Sequence, residues 1–182
     1  MERTLLFIIL SVPVIILSWR NLFNPKSHGF YRFLSWECII WLFVWCYKTW
    51  FDDPFSLPQI ISWIFMIISI YMVIAGATLI HRIGKPERKR DEKDLYAFEK
   101  TSLLVTQGIY KYIRHPMYSS LLFLTWGIYL KGPTVFLLIP AVLSSIFIYL
   151  TALLDEKECI GYFGEKYQKY MKGSKRFIPF VF

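Results

Sequence analysis

Apolar residues fall along this chain in five long blocks, at roughly 4–19, 33–51, 58–81, 116–130 and 133–154. A bilayer is crossed by about 17–25 apolar residues of helix, so block length is the first clue. The second block carries Glu37 before it reaches Lys48, and the others carry essentially no charge. The fourth is short. It reads as one arm of a tight helical hairpin with the fifth, turned at Lys131-Gly132-Pro133. The predicted fold is an all-α integral membrane protein with five transmembrane helices, a hairpin of the fourth and fifth, and a C-terminal cytoplasmic amphipathic helix. As one domain it divides into three N-terminal helices (1–82), a basic cytoplasmic loop leading into the candidate site (83–115), and the hairpin with its C-terminal segment (116–182).

Pro13 and Pro140 lie within the first and fifth blocks, where each can kink a membrane helix if neighbours satisfy the freed carbonyl. Leu57-Pro58 suits the first turn of the third helix. Residues 82–100 interleave both signs of charge and read as a solvated loop. Beyond the fifth block, Cys159, Phe163, Tyr167, Tyr170 and Met171 fall at spacings that place them on one face of a helix. That helix is expected to pack back over the entrance to the fourth and close a pocket.

Charge settles orientation. The net charge is +8, and with the five blocks as spans, 18 lysines and arginines lie on one side and 3 on the other. The basic side is expected to be cytoplasmic, leaving the N-terminus outside and the C-terminus inside. A bias explained by topology also argues against nucleic-acid binding. Cys38, Cys46 and Cys159 lack paired spacing, which excludes a disulfide framework or zinc site and leaves them as packing residues. The first block is followed by Trp19-Arg20-Asn21 rather than a small-residue cleavage site, so a retained anchor is expected.

Candidate chemistry gathers at "GIYKYIRHPMYSS", residues 108–120, just ahead of the fourth block. Pro116 fits a first helical turn, leaving the amides of Met117, Tyr118 and Ser119 unpaired. A helix N-terminus of this kind, reinforced by Arg114 and His115, binds anions. Tyr110, Tyr112 and Tyr118 add aromatic faces that attract a desolvated cation. In an antiparallel hairpin, Asp155-Glu156 returns to the same level. Anion site, aromatic faces and carboxylates together suit a zwitterionic ligand with an extra positive centre. Gly108 adds a position where backbone can approach a ligand closely.

"GIYKYIRHPMY", then 36 residues, then "DE…YFGEKYQKY" and "RFIP" resemble the isoprenylcysteine carboxyl methyltransferases, within a wider group that includes the phospholipid N-methyltransferases. The resemblance covers residues 95–182. It implies S-adenosylmethionine as cofactor, held by Ser102, Leu103, Leu104, Val105, Tyr110, His115, Pro116, Met117, Tyr118, Asp155 and Glu156. It implies methylation of a C-terminal isoprenylated cysteine carboxylate or similar lipidic acid, with membrane lipid and a prenylated or lipidic substrate as partners. One departure is evident: where the eukaryotic enzymes carry a substrate-holding arginine, one turn before the acidic pair, this chain has Thr151. Arg114 is the candidate in its place. A carboxylate needs no general base, whereas an amine with a pKa near 10 must lose a proton first, for which Glu156 or Asp155 would serve. Arg114 and Glu156 are therefore the candidate catalytic residues. A phospholipid N-methyltransferase and a non-enzymatic membrane adaptor are the alternatives.

Overall fold

A computed structural model describes residues 1–84 and 101–179. Among them are six α-helices: α1 Glu2–Ser18, α2 His28–Cys46, α3 Leu57–Ile83, α4 Pro116–Tyr129, α5 Val135–Phe163 and α6 Glu165–Gly173. No strand occurs among the described residues; a lone parallel bridge pairs Ile113 with Lys175. Most of the predicted charged loop, residues 85–100, lies outside them.

The helix starts follow local chemistry. The side chain of Ser27 accepts from the Phe30 amide at 3.3 Å and that of Thr134 from the Leu137 amide at 3.2 Å, satisfying otherwise unpaired donors. Pro58 and Pro116 occupy first turns. Pro13 and Pro140 sit inside α1 and α5, and both helices continue through them.

Two helices, α3 with 27 residues and α5 with 29, are long and apolar enough to cross a membrane. The surface of α3 is inside out by the standards of a water-soluble helix. Ile60, Ile64, Ile67, Tyr71 and Ile74, spaced by three and four, are exposed. Gln59, Ser62, Ser69 and Gly76 on the other face are buried. Against hydrocarbon this distribution is favourable, because helices there associate through small residues and interhelical hydrogen bonds. The bonds are present: Ser62 Oγ donates to the Gly127 carbonyl at 2.6 Å and Ser69 Oγ to the Ser120 carbonyl at 2.8 Å. A Cβ on Gly127 would stand 3.0 Å from Met66 and 3.3 Å from the Ser62 carbonyl, so glycine permits this approach.

α4 packs chiefly against α3, and α5 against α2, with a smaller contact between α4 and α5. The Ser144 hydroxyl joins the latter three helices, 3.0 Å from both Ser35 of α2 and Thr125 of α4. At the α4–α5 turn, Lys131 is buried: its Nζ donates to Gln59 Oε1 at 2.8 Å and lies 3.5 Å from the Trp63 ring centre. Burial holds its ammonium pKa down.

Two sequence expectations are corrected. α5 does not stop near residue 154 but runs to Phe163, placing Asp155 and Glu156 inside the helix. The single helix expected from Cys159 to Met171 is two, because Gly164, with φ +60° and ψ −136°, ends α5 and turns the chain into α6. That φ is open to glycine at little cost.

Candidate functional site

The chain reaches α4 through a 3-10 turn, Gly108–Lys111. Residues 112–115 then run beside the segment after α6. The Lys175 amide donates to the Tyr112 carbonyl at 2.9 Å, Arg114 to Lys175 at 2.7 Å and His115 to Arg176 at 3.2 Å. Phe177, buried, joins Tyr118, Ile148 and Ala152 in a small core between α4 and α5. Ser119 Oγ lies 2.8 Å from the Phe177 carbonyl, to which it donates.

That framing holds His115 between the two α5 carboxylates. Its Nδ1 lies 3.4 Å from Asp155 Oδ2 and its Nε2 3.3 Å from Glu156 Oε1, and its ring stacks on Tyr118 at 5.3 Å. Burial works against the imidazolium, but bonds and charges from both carboxylates outweigh it, and the His115 pKa is raised.

The carboxylates face different ways. The Glu156 side chain, 5% exposed, accepts from Arg114 Nε at 2.9 Å, Arg176 Nε at 3.0 Å and Arg176 Nη2 at 2.8 Å. Asp155, 22% exposed, lines a cavity. This cavity, partly open, has about 120 Å³ accessible to water and about 770 Å³ including its mouth. Its apolar walls come from Ile80, Leu104, Val105, Met117 and Phe163. Tyr110, Tyr118, Tyr167 and Tyr170 give it aromatic faces, and Arg114, His115 and Asp155 its charge. Burial pushes the Tyr167 and Tyr170 phenols up, so both stay neutral hydrogen-bonding groups.

Of the residues the sequence singled out, Leu104, Val105, Tyr110, Arg114, His115, Pro116, Met117, Tyr118 and Asp155 line the cavity. Ser102, Leu103, Gly108 and Glu156 are not among its walls. The Ser102 and Leu103 amides both donate to the Gly84 carbonyl, capping the end of α3. Gly108 has φ +58°, and a Cβ there would stand 2.7 Å from Leu79 Cδ1; its backbone approaches α3. Arg114 supports the fold as well: its Nη1 donates to the carbonyls of Met171, at 3.2 Å, and Ser174. Thr151 is buried, and its hydroxyl donates to Phe147 within α5.

Sequence reasoning missed Arg176, although "RFIP" was in view, because no spacing rule relates it to Glu156. It also missed Ile80 and Thr101, whose approach depends on how α3 ends. Cys159, Phe163, Tyr167 and Tyr170 were legible as one apolar face, and all four line the cavity despite the break at Gly164.

The profile of a family described as phospholipid methyltransferase matches residues 58–169. Among curated proteins, the chain is 38% identical over 74 residues to a methanethiol S-methyltransferase of Pseudomonas deceptionensis, covering 41% of this chain and 28% of that protein. It is 33% identical over 76 residues to the Crocosphaera subtropica protein of the same description, covering 42% and 29%. A protein-S-isoprenylcysteine O-methyltransferase of Schizosaccharomyces pombe is 30% identical over 113 residues, covering 60% and 42%. The chain thus spans less than half the length of these relatives. No solved structure matches significantly.

Proposed function

The chain belongs to the phospholipid methyltransferase family, and on that premise we propose that it transfers a methyl group from S-adenosylmethionine to an acceptor presented from a bilayer. The observation that carries this reading is the meeting, across one tyrosine-walled cavity, of the α4 N-terminus with Asp155. These residues fit the donor. The Ser119 amide is taken by the His115 carbonyl at 2.8 Å, so the amides of Met117 and Tyr118 are the ones that suit the donor's carboxylate. Asp155 suits its ammonium, and the faces of Tyr110, Tyr118, Tyr167 and Tyr170 its sulfonium. When bound, the donor supplies a methyl group activated by a positive sulfur. The chain's part is to exclude water and hold the two reactants in line.

The acceptor we propose is the carboxylate of a C-terminal isoprenylated cysteine or a similar lipidic acid. Arg114 supports it by lining the cavity. Its Nε and Nη1 are engaged by Glu156 and by the Met171 and Ser174 carbonyls, so the Nη2 edge is the part proposed to meet an anionic head group. Such an acceptor is ionised near neutral pH and needs no base, in keeping with a Glu156 already engaged by two arginines. The names of the two Pseudomonas and Crocosphaera relatives favour a second reading, a small thiol as acceptor.

The protein is proposed to cross the membrane five times with its site and C-terminus cytoplasmic. In this proposal residues 1–82 anchor the protein, 83–115 lead into the donor site, and 116–182 complete the catalytic region.

Single-turnover methylation separates the acceptors. A farnesylated cysteine analogue should be methylated at a rate nearly flat between pH 6.5 and 8.5. An amine with a pKa near 10 would instead gain about tenfold per pH unit. Methylation of phosphatidylethanolamine that rises with pH and ignores Arg114→Gln would move the chain to the amine branch. Methanethiol turnover without the farnesyl product would establish the thiol.

A further inference from the structure

Arg176 lies 20 positions beyond Glu156, in the segment after α6. Two of its nitrogens reach that carboxylate, Nε at 3.0 Å from Oε1 and Nη2 at 2.8 Å from Oε2. A planar fork on a carboxylate fixes orientation as well as distance. The guanidinium also lies 5.2 Å from the Tyr149 ring centre, over a second residue of α5. Its Nε, the Arg114 Nε and His115 Nε2 all converge on Glu156 Oε1.

A carboxylate so surrounded is not available to a ligand's cation or to a substrate's proton. Its neighbour is. Successive residues of a helix point about 100° apart, so fixing Glu156 toward the protein interior fixes Asp155 toward the cavity, where His115 Nδ1 meets it. The segment that brings Arg176 is itself seated by the backbone bonds of Lys175 and Arg176 to residues 112–115 and by the burial of Phe177. One stretch of chain therefore fixes the His115 backbone and, through Glu156, one of its ring nitrogens.

We propose that Arg176 is a positioning residue for methyl transfer: by its two-point hold on Glu156 it turns Asp155 alone toward the donor's cation, making the donor site depend on docking of the C-terminal segment. This rests on the methyl-donor reading of the cavity. With Arg176 shortened, Glu156 keeps Arg114 and His115 on Oε1 but loses the hold on Oε2. The carboxylate can then pivot toward the cavity or draw His115 away from Asp155, and either change misplaces the carboxylate that meets the donor.

The test uses the full chain in detergent and equilibrium binding of S-adenosylhomocysteine. Arg176→Gln should weaken binding about tenfold, the scale of one charge-assisted hydrogen bond. Arg176→Lys should recover only part of the loss, because an ammonium cannot hold both oxygens. In a double-mutant cycle, adding Arg176→Gln to Glu156→Gln should cost no further affinity, since the arginine acts through that carboxylate. Single-turnover rates should fall in kcat as well as in donor affinity. Parent-like binding by Arg176→Gln, or additive losses in the cycle, would overturn the assignment. So would failure of Arg176→Lys to fold, which would make the arginine a folding element. If the parent itself does not bind S-adenosylhomocysteine, the methyl-donor reading falls instead.

Discussion

The Tyr170 hydroxyl donates to the Tyr110 carbonyl at 2.5 Å, tying α6 to the turn that leads into α4. Both side chains line the cavity, so one bond ties two of its walls. Tyr170→Phe keeps the ring and removes the tie, a net hydrogen bond worth about 0.5–1.5 kcal/mol. Hydrogen exchange should quicken in Glu165–Gly173 while the buried part of α5 is unchanged. Unchanged α6 exchange would show that Gly164 and apolar packing suffice to hold that helix.

Asp155 and Glu156 should respond differently to neutralisation. Asp155→Asn should weaken S-adenosylhomocysteine binding at least tenfold, while the unliganded protein loses less melting temperature than with Glu156→Gln, because the ion pair lost is that with His115, which keeps Glu156. Glu156→Gln leaves two buried arginine contacts without their counter-charge, and breaking a buried pair costs about 3–5 kcal/mol. Its melting temperature should fall clearly. Equal thermal losses in the two variants would contradict the division of roles between them.

His115 supplies a pH signature. Its pKa is raised in the folded protein, against about 6.5 when unfolded. Its contribution to stability is thus complete below about pH 6.5 and is lost as the pH rises through the folded value. The stability gap between the parent and His115→Gln should be widest in acid and narrow toward alkaline pH. A gap that widens with pH would mean an imidazole held neutral.

Orientation is testable without activity. Reporter fusions at Asp52 and Gly132 should read outside, and a fusion at the C-terminus inside, if the distribution of 18 and 3 basic residues sets topology. A cytoplasmic signal at Gly132 would place the α4–α5 turn on the same side as the cavity and remove the proposed five-span arrangement.

What the sequence disclosed follows from range. Helix starts at Pro58 and Pro116 are local chemistry, and both were legible. So was the convergence of His115 with Asp155, because two apolar blocks joined by a short turn return the chain to the same level. The extension of α5 to Phe163 was hidden because its last roughly two and a half turns open with Asp155, Glu156, Lys157 and Glu158, which hydropathy reads as an end. Gly108 was read as a glycine that lets backbone approach a ligand; the space its missing Cβ leaves is met by Leu79 of α3. A residue's type announces that something lies near; it does not say what.

The buried Lys131 bears on motion. Together with Gln59 it pins α3 to the α4–α5 turn, and the hydroxyls of Ser62 and Ser69 stitch the next two turns and more of the same interface. Toward the cavity the interface relies on the close approach that Gly76 allows to Pro116 and Met117, with one long bond, from the Tyr110 hydroxyl to the Gly76 carbonyl at 3.5 Å. A pair of rods bolted at one end can swing only at the other. Whatever breathing admits an acceptor should therefore widen the gap between Ile80 and Met117 and leave Trp63 where it is.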